Sequence, residues 1–109
     1  MIFKNKFFFL VFTLIIVSCN KEISFESSHY PKKVNAPFSD VVKANGFLFL
    51  AGQIGMNHNT RTLVSGGIKQ ETEQAIKNIK EVLELHNSSL DHVVKCTVIL
   101  SDINDFNAF

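Results

Sequence analysis

The side chains of this sequence that could bind a metal or attack a substrate are few and far apart. No HxxxH or HxH spacing and no pair of cysteines joins its four histidines, His29, His58, His86 and His92. Because zinc sites draw on closely spaced His and Cys ligands, no metal site is expected, and His86 and His92 are interpreted as packing or surface residues. Cys96 lies in an apolar stretch with no activating base nearby in sequence, which indicates a small buried hydrophobic residue rather than a nucleophile.

A glycine-containing stretch, Gly52-Gln53-Ile54-Gly55, directly follows an apolar segment. It lacks the Lys-Ser/Thr pair of a phosphate-binding loop, so it does not indicate a nucleotide site. Glycine directly after a strand allows the backbone to come close to a ligand or a second chain, with tight packing inside the fold as the alternative explanation. The stretch is therefore a candidate for either role.

Composition limits the class of protein that the chain can be. It has 109 residues, 46% of them hydrophobic, with 11 Lys and Arg against 10 Asp and Glu. This length accommodates one domain. The net charge of +1 provides no basic surface for a phosphate backbone, so binding to nucleic acid is not expected. Five of the 11 Phe lie in the first 12 residues, which indicates an apolar segment separate from the fold.

That first segment resembles the signal peptide of a bacterial lipoprotein. Lys4 and Lys6 precede an apolar run at 7–17, which is too short to span a bilayer well but fits the hydrophobic region of a signal peptide. The motif at 16–19, Ile-Val-Ser-Cys, resembles a lipobox, in which the Cys is acylated and becomes the mature N-terminus. Cys19 is therefore the predicted lipidation site, and an ordinary secretory signal with an incidental Cys is the alternative.

The chain is accordingly divided into a signal peptide at 1–18, a lipidated Cys with a flexible tether at 19–36, and a globular domain at 37–109. The tether is polar and shows no apolar period of 2 or 3.6 residues. Removal of the signal peptide with its two Lys leaves 9 basic and 10 acidic residues, a net charge of −1. Because Cys19 is lipidated in this interpretation, Cys96 then has no partner for a disulfide. The predicted location is the periplasmic or outer-membrane side, anchored to the membrane by several acyl chains.

The domain is predicted to begin with a β-hairpin and a helix. Asn45-Gly46 is typical of a type I′ turn, and apolar, β-branched and aromatic residues flank it at 41–44 and 47–51. The sequence predicts a helix over 68–86, where apolar or small residues recur at i, i+3, i+4 and i+7. Leu63-Val64 is a candidate short strand between the two.

A strand and a second helix are predicted to follow. The strand covers 93–100, and the helix begins at Ile103 after an N-cap at Ser101 or Asp102. The expected order is therefore β-β-α-β-α. Because the second helix shows no termination signal before Phe109, the chain is expected to be a C-terminally truncated fragment.

Several segments in this order and spacing are similar to those of the reactive intermediate deaminase (RidA/YjgF) family, also labelled endoribonuclease L-PSP. They are 37–42, 50–55, 70–80, 89–100, Asp102 and Asp105-Phe106. The resemblance implies an α+β, chorismate-mutase-like fold, with a mixed sheet and helices on one face. It also implies a homotrimer whose sites lie between subunits, and the hydrolysis of 2-imino acids to 2-keto acids and ammonia without a metal or organic cofactor.

The resemblance transfers only part of the family's site to this chain. Phe38 matches the aromatic residue of the Pro-aromatic-Ser motif, and Ala51-Gly52 match the Ser-Gly after the second strand, so these three are the predicted substrate-binding residues. Phe38 and Ala51 lack the hydroxyls that many members have there. The carboxylate-binding Arg and the acidic residue that orients water are expected beyond Phe109, so no catalytic residue is assigned within the chain.

Two other functions remain open. A binding or chaperone-like lipoprotein of the same fold would hold a small carboxylate or a partner protein without turnover, which the lost hydroxyls at Phe38 and Ala51 favour. A ribonuclease, suggested by the alternative family label, is disfavoured by the net charge and by the absence of a basic stripe interleaved with aromatic residues.

Overall fold

The computed structural model describes residues 22–27 and 37–109, in which two small antiparallel sheets and one long helix form an α+β arrangement. The larger sheet has the order β1-β2-β3 and the smaller one pairs β4 with β5. The elements are β1 (Ser24–Glu26), β2 (Val41–Ala44), β3 (Phe47–Leu50), β4 (Met56–Asn57), β5 (Thr62–Leu63) and α1 (Ile68–Leu85), followed by 3₁₀ turns at Leu90–His92 and Ile103–Asn107.

The predicted hairpin is confirmed. β2 and β3 pair antiparallel, with Ala44 opposite Phe47 next to the turn. Asn45 and Gly46 have φ values of 53° and 82°, as a type I′ turn requires at both central positions. The turn chemistry therefore fixes which residues of the two strands face each other.

The predicted tether contains a strand. Residues 24–26 form β1 and pair antiparallel with β2, with Phe25 opposite Val42. The Nζ of Lys43 lies 3.0 Å from a carboxylate oxygen of Glu26 and adds an ion pair across the two strands. A three-residue strand is too short to show a period of 2, and its pairing depends on a hairpin distant in sequence. The tether residues 19–21 and 28–36 lie outside the described part of the chain.

The long helix matches its prediction within one residue. It ends at Leu85 rather than at 86, because Asn87 takes a left-handed conformation with φ of 58°. The amide of Ser88 then donates to the carbonyl of Leu83 at 2.9 Å, as in a Schellman ending. Val82 and Leu83 of α1 are buried, as is Val41 of β2, so the sheet and the helix each contribute to the core.

The region after α1 differs from its prediction. Residues 93–100, predicted as a strand, pair with no strand in the described ranges, and 93–99 are exposed. A strand exists only through hydrogen bonds to a neighbour, so apolar composition alone does not produce one. The described sheets are antiparallel throughout, and the predicted mixed sheet is not observed in them.

The predicted second helix is a short 3₁₀ element. The side chain of Asp102 accepts a hydrogen bond from the amide of Asn104 at 2.9 Å, which confirms the predicted N-cap. The element that follows, Ile103–Asn107, is not α-helical. Ile103 and Phe106 are largely exposed, and a short helix without a packed apolar face gains little stabilisation from tertiary contacts.

The larger sheet has one exposed apolar face. Residues that lie directly opposite each other in an antiparallel sheet share a face, so Phe25, Val42 and Phe49 form one row across the three strands. Phe49 is 59% exposed and Phe25 is 71% exposed. The ring of Phe47 lies 6.3 Å from that of Phe49, centre to centre. We call this set of residues, Phe25, Val42, Phe47 and Phe49, the aromatic face.

Candidate functional site

The candidate site begins where β3 ends. The amide of Ala51 donates a hydrogen bond of 2.8 Å to the carbonyl of Asp40, which continues the β2–β3 pairing by one residue. The Asp40 side chain is buried, whereas Phe38, two residues earlier, is 56% exposed. This hydrogen bond brings the segment with Phe38 and the segment with Ala51 and Gly52 to the same end of the sheet.

The two glycines of the stretch after β3 have different roles. A Cβ at Gly55 would lie 2.4 Å from the Cα of Glu71, so only glycine allows the backbone to pack this closely against α1. A Cβ at Gly52 would meet nothing within 4 Å, and Gly52 is exposed. Tight packing therefore explains Gly55, and Gly52 presents accessible backbone.

A buried amide on α1 fixes the loop between β3 and β4. Asn78 is 1% exposed, and its Nδ2 donates to the carbonyls of Ile54 at 3.0 Å and Met56 at 2.9 Å. Its Oδ1 accepts a hydrogen bond of 2.8 Å from the Nε2 of Gln74, one turn earlier on the helix. The amide of Met56 also donates to the carbonyl of Ile54 at 2.7 Å, so the loop turns tightly where Asn78 binds it.

A second polar cluster links three elements at another place in the fold. Glu26 of β1 contacts Lys43 of β2 at 3.0 Å, and its other carboxylate oxygen lies 3.1 Å from the Nδ1 of His86 at the end of α1. The hydroxyl of Ser24 donates to Glu26 at 2.9 Å. Hydrogen bonds from Lys43 and then Ser24 lower the pKa of Glu26 below its ordinary value of 4.5.

An open cavity of about 340 Å³ lies beside this cluster, between the hairpin turn and the end of α1. Its lining comes from Glu22, from the hairpin at 43–48 and from the residues that directly follow α1, at 86–88. None of the residues assigned to substrate binding contributes to it. The lining residues that carry charge or a titratable ring are Glu22, Lys43 and His86.

The other predicted functional residues are distributed as follows. Cys96 is exposed, which corrects its prediction as a buried hydrophobic residue. The reason is that residues 93–100 are not covered by a neighbouring element. The lipidation candidate Cys19 lies outside the described residues. His92 lies in a 3₁₀ turn, with its Nδ1 3.4 Å from the hydroxyl of Ser89, and is a surface residue as predicted.

Neither a metal cluster nor a membrane-spanning helix is present in the described ranges. Across 22–27 and 37–109, no three His, Cys, Asp or Glu side chains gather closely enough to hold a metal ion. Likewise, no helix within those ranges is long and apolar enough to cross a bilayer.

Sequence reasoning missed Asn78 and the pairing of Glu26 with His86. For Asn78 a signal was available, since it lies on the helical face that also carries Ala75 and Val82 at i−3 and i+4. A polar residue on such a face is buried and must find hydrogen-bond partners. Glu26 offered no such signal, because its partners lie 17 and 60 residues away in sequence.

Comparison with known proteins covers most of the chain. The Endoribonuclease L-PSP family matches residues 29–109. A RutC family protein from Pyrococcus horikoshii is 45% identical over 86 residues, which cover 79% of this chain and 67% of the relative. The 2-iminobutanoate/2-iminopropanoate deaminase of Homo sapiens is 45% identical over 71 residues, which cover 65% of this chain and 52% of the relative. The chain thus spans about half to two thirds of the length of these relatives.

A solved structure shows the same fold. The crystal structure of a protein of the conserved Rid family from Yersinia pestis superimposes with a TM-score of 0.71 at 33% identity, and the match covers 80% of this chain and 69% of the other. The family match includes the end of the sheet with Phe38, Ala51 and Gly52, and the helix with Asn78. This chain belongs to the Endoribonuclease L-PSP family, which includes the RidA proteins.

Proposed function

We propose that this protein is a RidA-type imine deaminase, which hydrolyses reactive 2-imino acids to 2-keto acids and ammonia. The human relative, a 2-iminobutanoate/2-iminopropanoate deaminase, is 45% identical over the shared segment. The single observation that carries the proposal is the end of the sheet, where the Ala51–Asp40 hydrogen bond brings the accessible backbone of Gly52 beside the segment with Phe38. This arrangement offers an apolar ring and backbone polar groups to a small planar substrate.

The reaction needs only water as co-reactant. Water adds to the imine carbon to give a carbinolamine. Its hydroxyl proton then passes to the nitrogen as the carbon–nitrogen bond breaks, which releases ammonia and leaves the 2-keto acid. Positioning lowers the barrier, because a bound and oriented substrate meets the water without a loss of translational freedom at that step. We assign Phe38, Ala51 and Gly52 to substrate contact.

The groups that bind the substrate carboxylate and orient water are proposed to lie beyond Phe109. An Arg would bind the carboxylate through two parallel hydrogen bonds, and an acidic side chain would orient the water. The only Arg of this chain, Arg61, lies on the exposed turn between β4 and β5. We therefore expect residues 19–109 by themselves to be inactive.

A homotrimer is part of the proposal, and the aromatic face supports it. Large exposed apolar patches on soluble proteins mark interaction surfaces. Phe25, Phe47 and Phe49 are each more than half exposed on one side of the sheet, opposite the side that contributes Val41 to the core. Burial of this face between copies would remove these rings from water.

We also propose membrane anchoring through Cys19 on the periplasmic or outer-membrane side. The support is the order of basic residues, apolar run and lipobox in the sequence. Because β1 begins at Ser24, four residues, and thus five residue-to-residue steps, separate the anchor from the sheet. At no more than about 3.6 Å per residue this is at most about 18 Å, so the domain would lie close to the membrane surface.

A non-catalytic binding protein of the same fold is the second candidate. The specific observation in its favour is that Phe38 and Ala51 provide no hydroxyl at the substrate-facing end of the sheet. Such a protein would bind a small carboxylate, or act as a chaperone, without turnover.

The test compares residues 19–109 with the product of the complete natural reading frame. Ammonia release from freshly generated 2-iminobutanoate is measured by a coupled assay, and binding of 2-ketobutanoate by calorimetry. Turnover by the complete product and none by residues 19–109 supports the deaminase. Binding without turnover in the complete product supports the binding protein, and the absence of both contradicts the assignment.

A further inference from the structure

We infer that Asn78 is a positioning residue for the proposed deaminase site: its side-chain amide sets the path of the backbone that presents Gly52. The inference rests on the proposed function for its chemical meaning, and on the geometry of α1 and the β3–β4 loop for its support. Asn78 itself lies on the helix and is not assigned to substrate contact.

The orientation of the amide follows from its partners. The carbonyls of Ile54 and Met56 can only accept hydrogen bonds, so the atom that faces them must be the nitrogen of Asn78. The oxygen then faces Gln74, whose Nε2 donates to it at 2.8 Å. Both amide hydrogens of Asn78 are used, and Gln74 opposes a flip of the amide because a flip would bring two donors together.

Two sets of hydrogen bonds hold the β3–β4 loop, and Asn78 provides one of them. At the sheet end, the amide of Ala51 is bound to the carbonyl of Asp40. At the helix end, Asn78 binds the carbonyls on both sides of Gly55. Gly52 and Gln53 lie between these two contacts, so a shift at the helix end reaches Gly52 through Gln53 alone.

The contact between Gly55 and α1 restricts the loop further. Its Cα lies so close to the backbone of Glu71 that no side chain fits. Glu71 and Asn78 are seven residues apart, or two turns along the same face of the helix. The close contact of Gly55 with Glu71 and the hydrogen bonds of Asn78 therefore both hold the loop against α1. Loss of the hydrogen bonds would free the loop to move away from the helix.

Isosteric and matched variants in the complete protein test this role. Asn78→Asp retains the shape but places a carboxylate oxygen against two carbonyls, and Gln74→Ala removes only the group that orients the amide. Lys77→Ala, on the exposed side of α1, is the control. The measurements are kcat and KM for ammonia release from 2-iminobutanoate, thermal unfolding, and backbone ¹⁵N order parameters.

Displacement of a positioned group by about 1 Å costs of order 10²-fold in rate. We expect a loss of that size in kcat/KM for Asn78→Asp, a smaller loss for Gln74→Ala, and none for Lys77→Ala. As pH falls, the new carboxyl of Asn78→Asp becomes protonated and can donate one hydrogen bond, so its activity relative to the parent should rise. The profile is measured at a temperature at which thermal unfolding shows both proteins to be fully folded, so that a change in stability alone would not produce it.

The outcomes are separable from those of the proposed function. If Asn78→Asp folds and retains kcat/KM within twofold of the parent, the inference is wrong while the deaminase stands. If Asn78→Asp does not fold, Gln74→Ala decides, and an unchanged kcat/KM in that variant contradicts the inference. If the parent has no turnover, the order parameters decide: those of Gly52 and Gln53 should fall from the rigid value of about 0.85 toward 0.6 in Asn78→Asp, and unchanged values overturn the inference.

Discussion

The Nδ1 of His86 lies 3.1 Å from a carboxylate oxygen of Glu26 and so connects the end of α1 to β1. The side chain of His86 is only 7% exposed. The same carboxylate accepts hydrogen bonds from Lys43 and Ser24. A strand of only three residues is thereby attached to both the hairpin and the helix by one side chain.

Glu26→Gln should reduce stability in a pH-dependent manner. The pKa of Glu26 is lowered in the fold, so its carboxylate contributes stability above its ordinary pKa, and this contribution disappears as the pH falls through the lowered value. Thermal unfolding midpoints of the variant and the parent should differ at pH 7 and converge as the pH falls from the ordinary pKa of 4.5 through the lowered pKa of Glu26. The control is Glu84→Gln, which removes a surface pair with Lys80 at 3.8 Å. An equal pH dependence for both variants would contradict the role of Glu26.

Gly46→Val should destabilise the hairpin. Gly46 has a φ of 82°, where a β-branched side chain is strained by about 1–3 kcal/mol. Gly52→Val is the matched control, because a Cβ at Gly52 meets nothing within 4 Å and its φ is not in the left-handed region. Denaturant unfolding should show the loss for Gly46→Val and little change for the control. A similar midpoint for the two variants would argue against the type I′ turn.

Gly55→Ala should be destabilising even though it adds a single methyl group. That methyl would lie 2.4 Å from the Cα of Glu71, so the loop or α1 must move, at a cost of about 1–3 kcal/mol. Gly52→Ala again provides the comparison under the same denaturant titration. If Gly55→Ala unfolds at the parent's midpoint, the loop does not pack against the helix as described.

Phe49→Lys should dissociate the proposed trimer. The substitution places a charge in the middle of the aromatic face, and its burial between copies is unfavourable. Leu85→Lys is the control, since Leu85 is 64% exposed on α1 and outside that face. Size-exclusion chromatography with light scattering on the complete product should show monomers for Phe49→Lys and trimers for Leu85→Lys. Trimers in both cases would locate the interface elsewhere.

Cys19→Ser should release the protein from the membrane fraction. Loss of the thiol removes the site of acylation, and with it the acyl chains that would hold the protein at the bilayer. Cys96→Ser is the matched control, because Cys96 is exposed in the domain and outside the lipobox. Fractionation with detection by antibody provides the measurement. Equal partitioning of the two variants would contradict lipid anchoring.

The candidate site was predictable only in part. Phe38, Ala51 and Gly52 were identified from the sequence, and the structure brings them to one end of the sheet through the Ala51–Asp40 hydrogen bond. Their role as substrate-binding residues stays a prediction. The separate functions of Gly52 and Gly55 could not be predicted, because the two glycines are distinguished only by their distance from a helix that begins 13 residues later.

The sequence by itself determined the local elements. Asn45-Gly46 specified the hairpin, the apolar period specified α1, and Asp102 specified an N-cap, since each depends on neighbours within a few residues. Only the tertiary structure decided what depends on distant partners. It made residues 24–26 a strand, left 93–100 without one, and buried the amide of Asn78 against the β3–β4 loop. A strand forms, and a polar group can be buried, only where other atoms satisfy their hydrogen bonds. Here those atoms lie far away in the sequence.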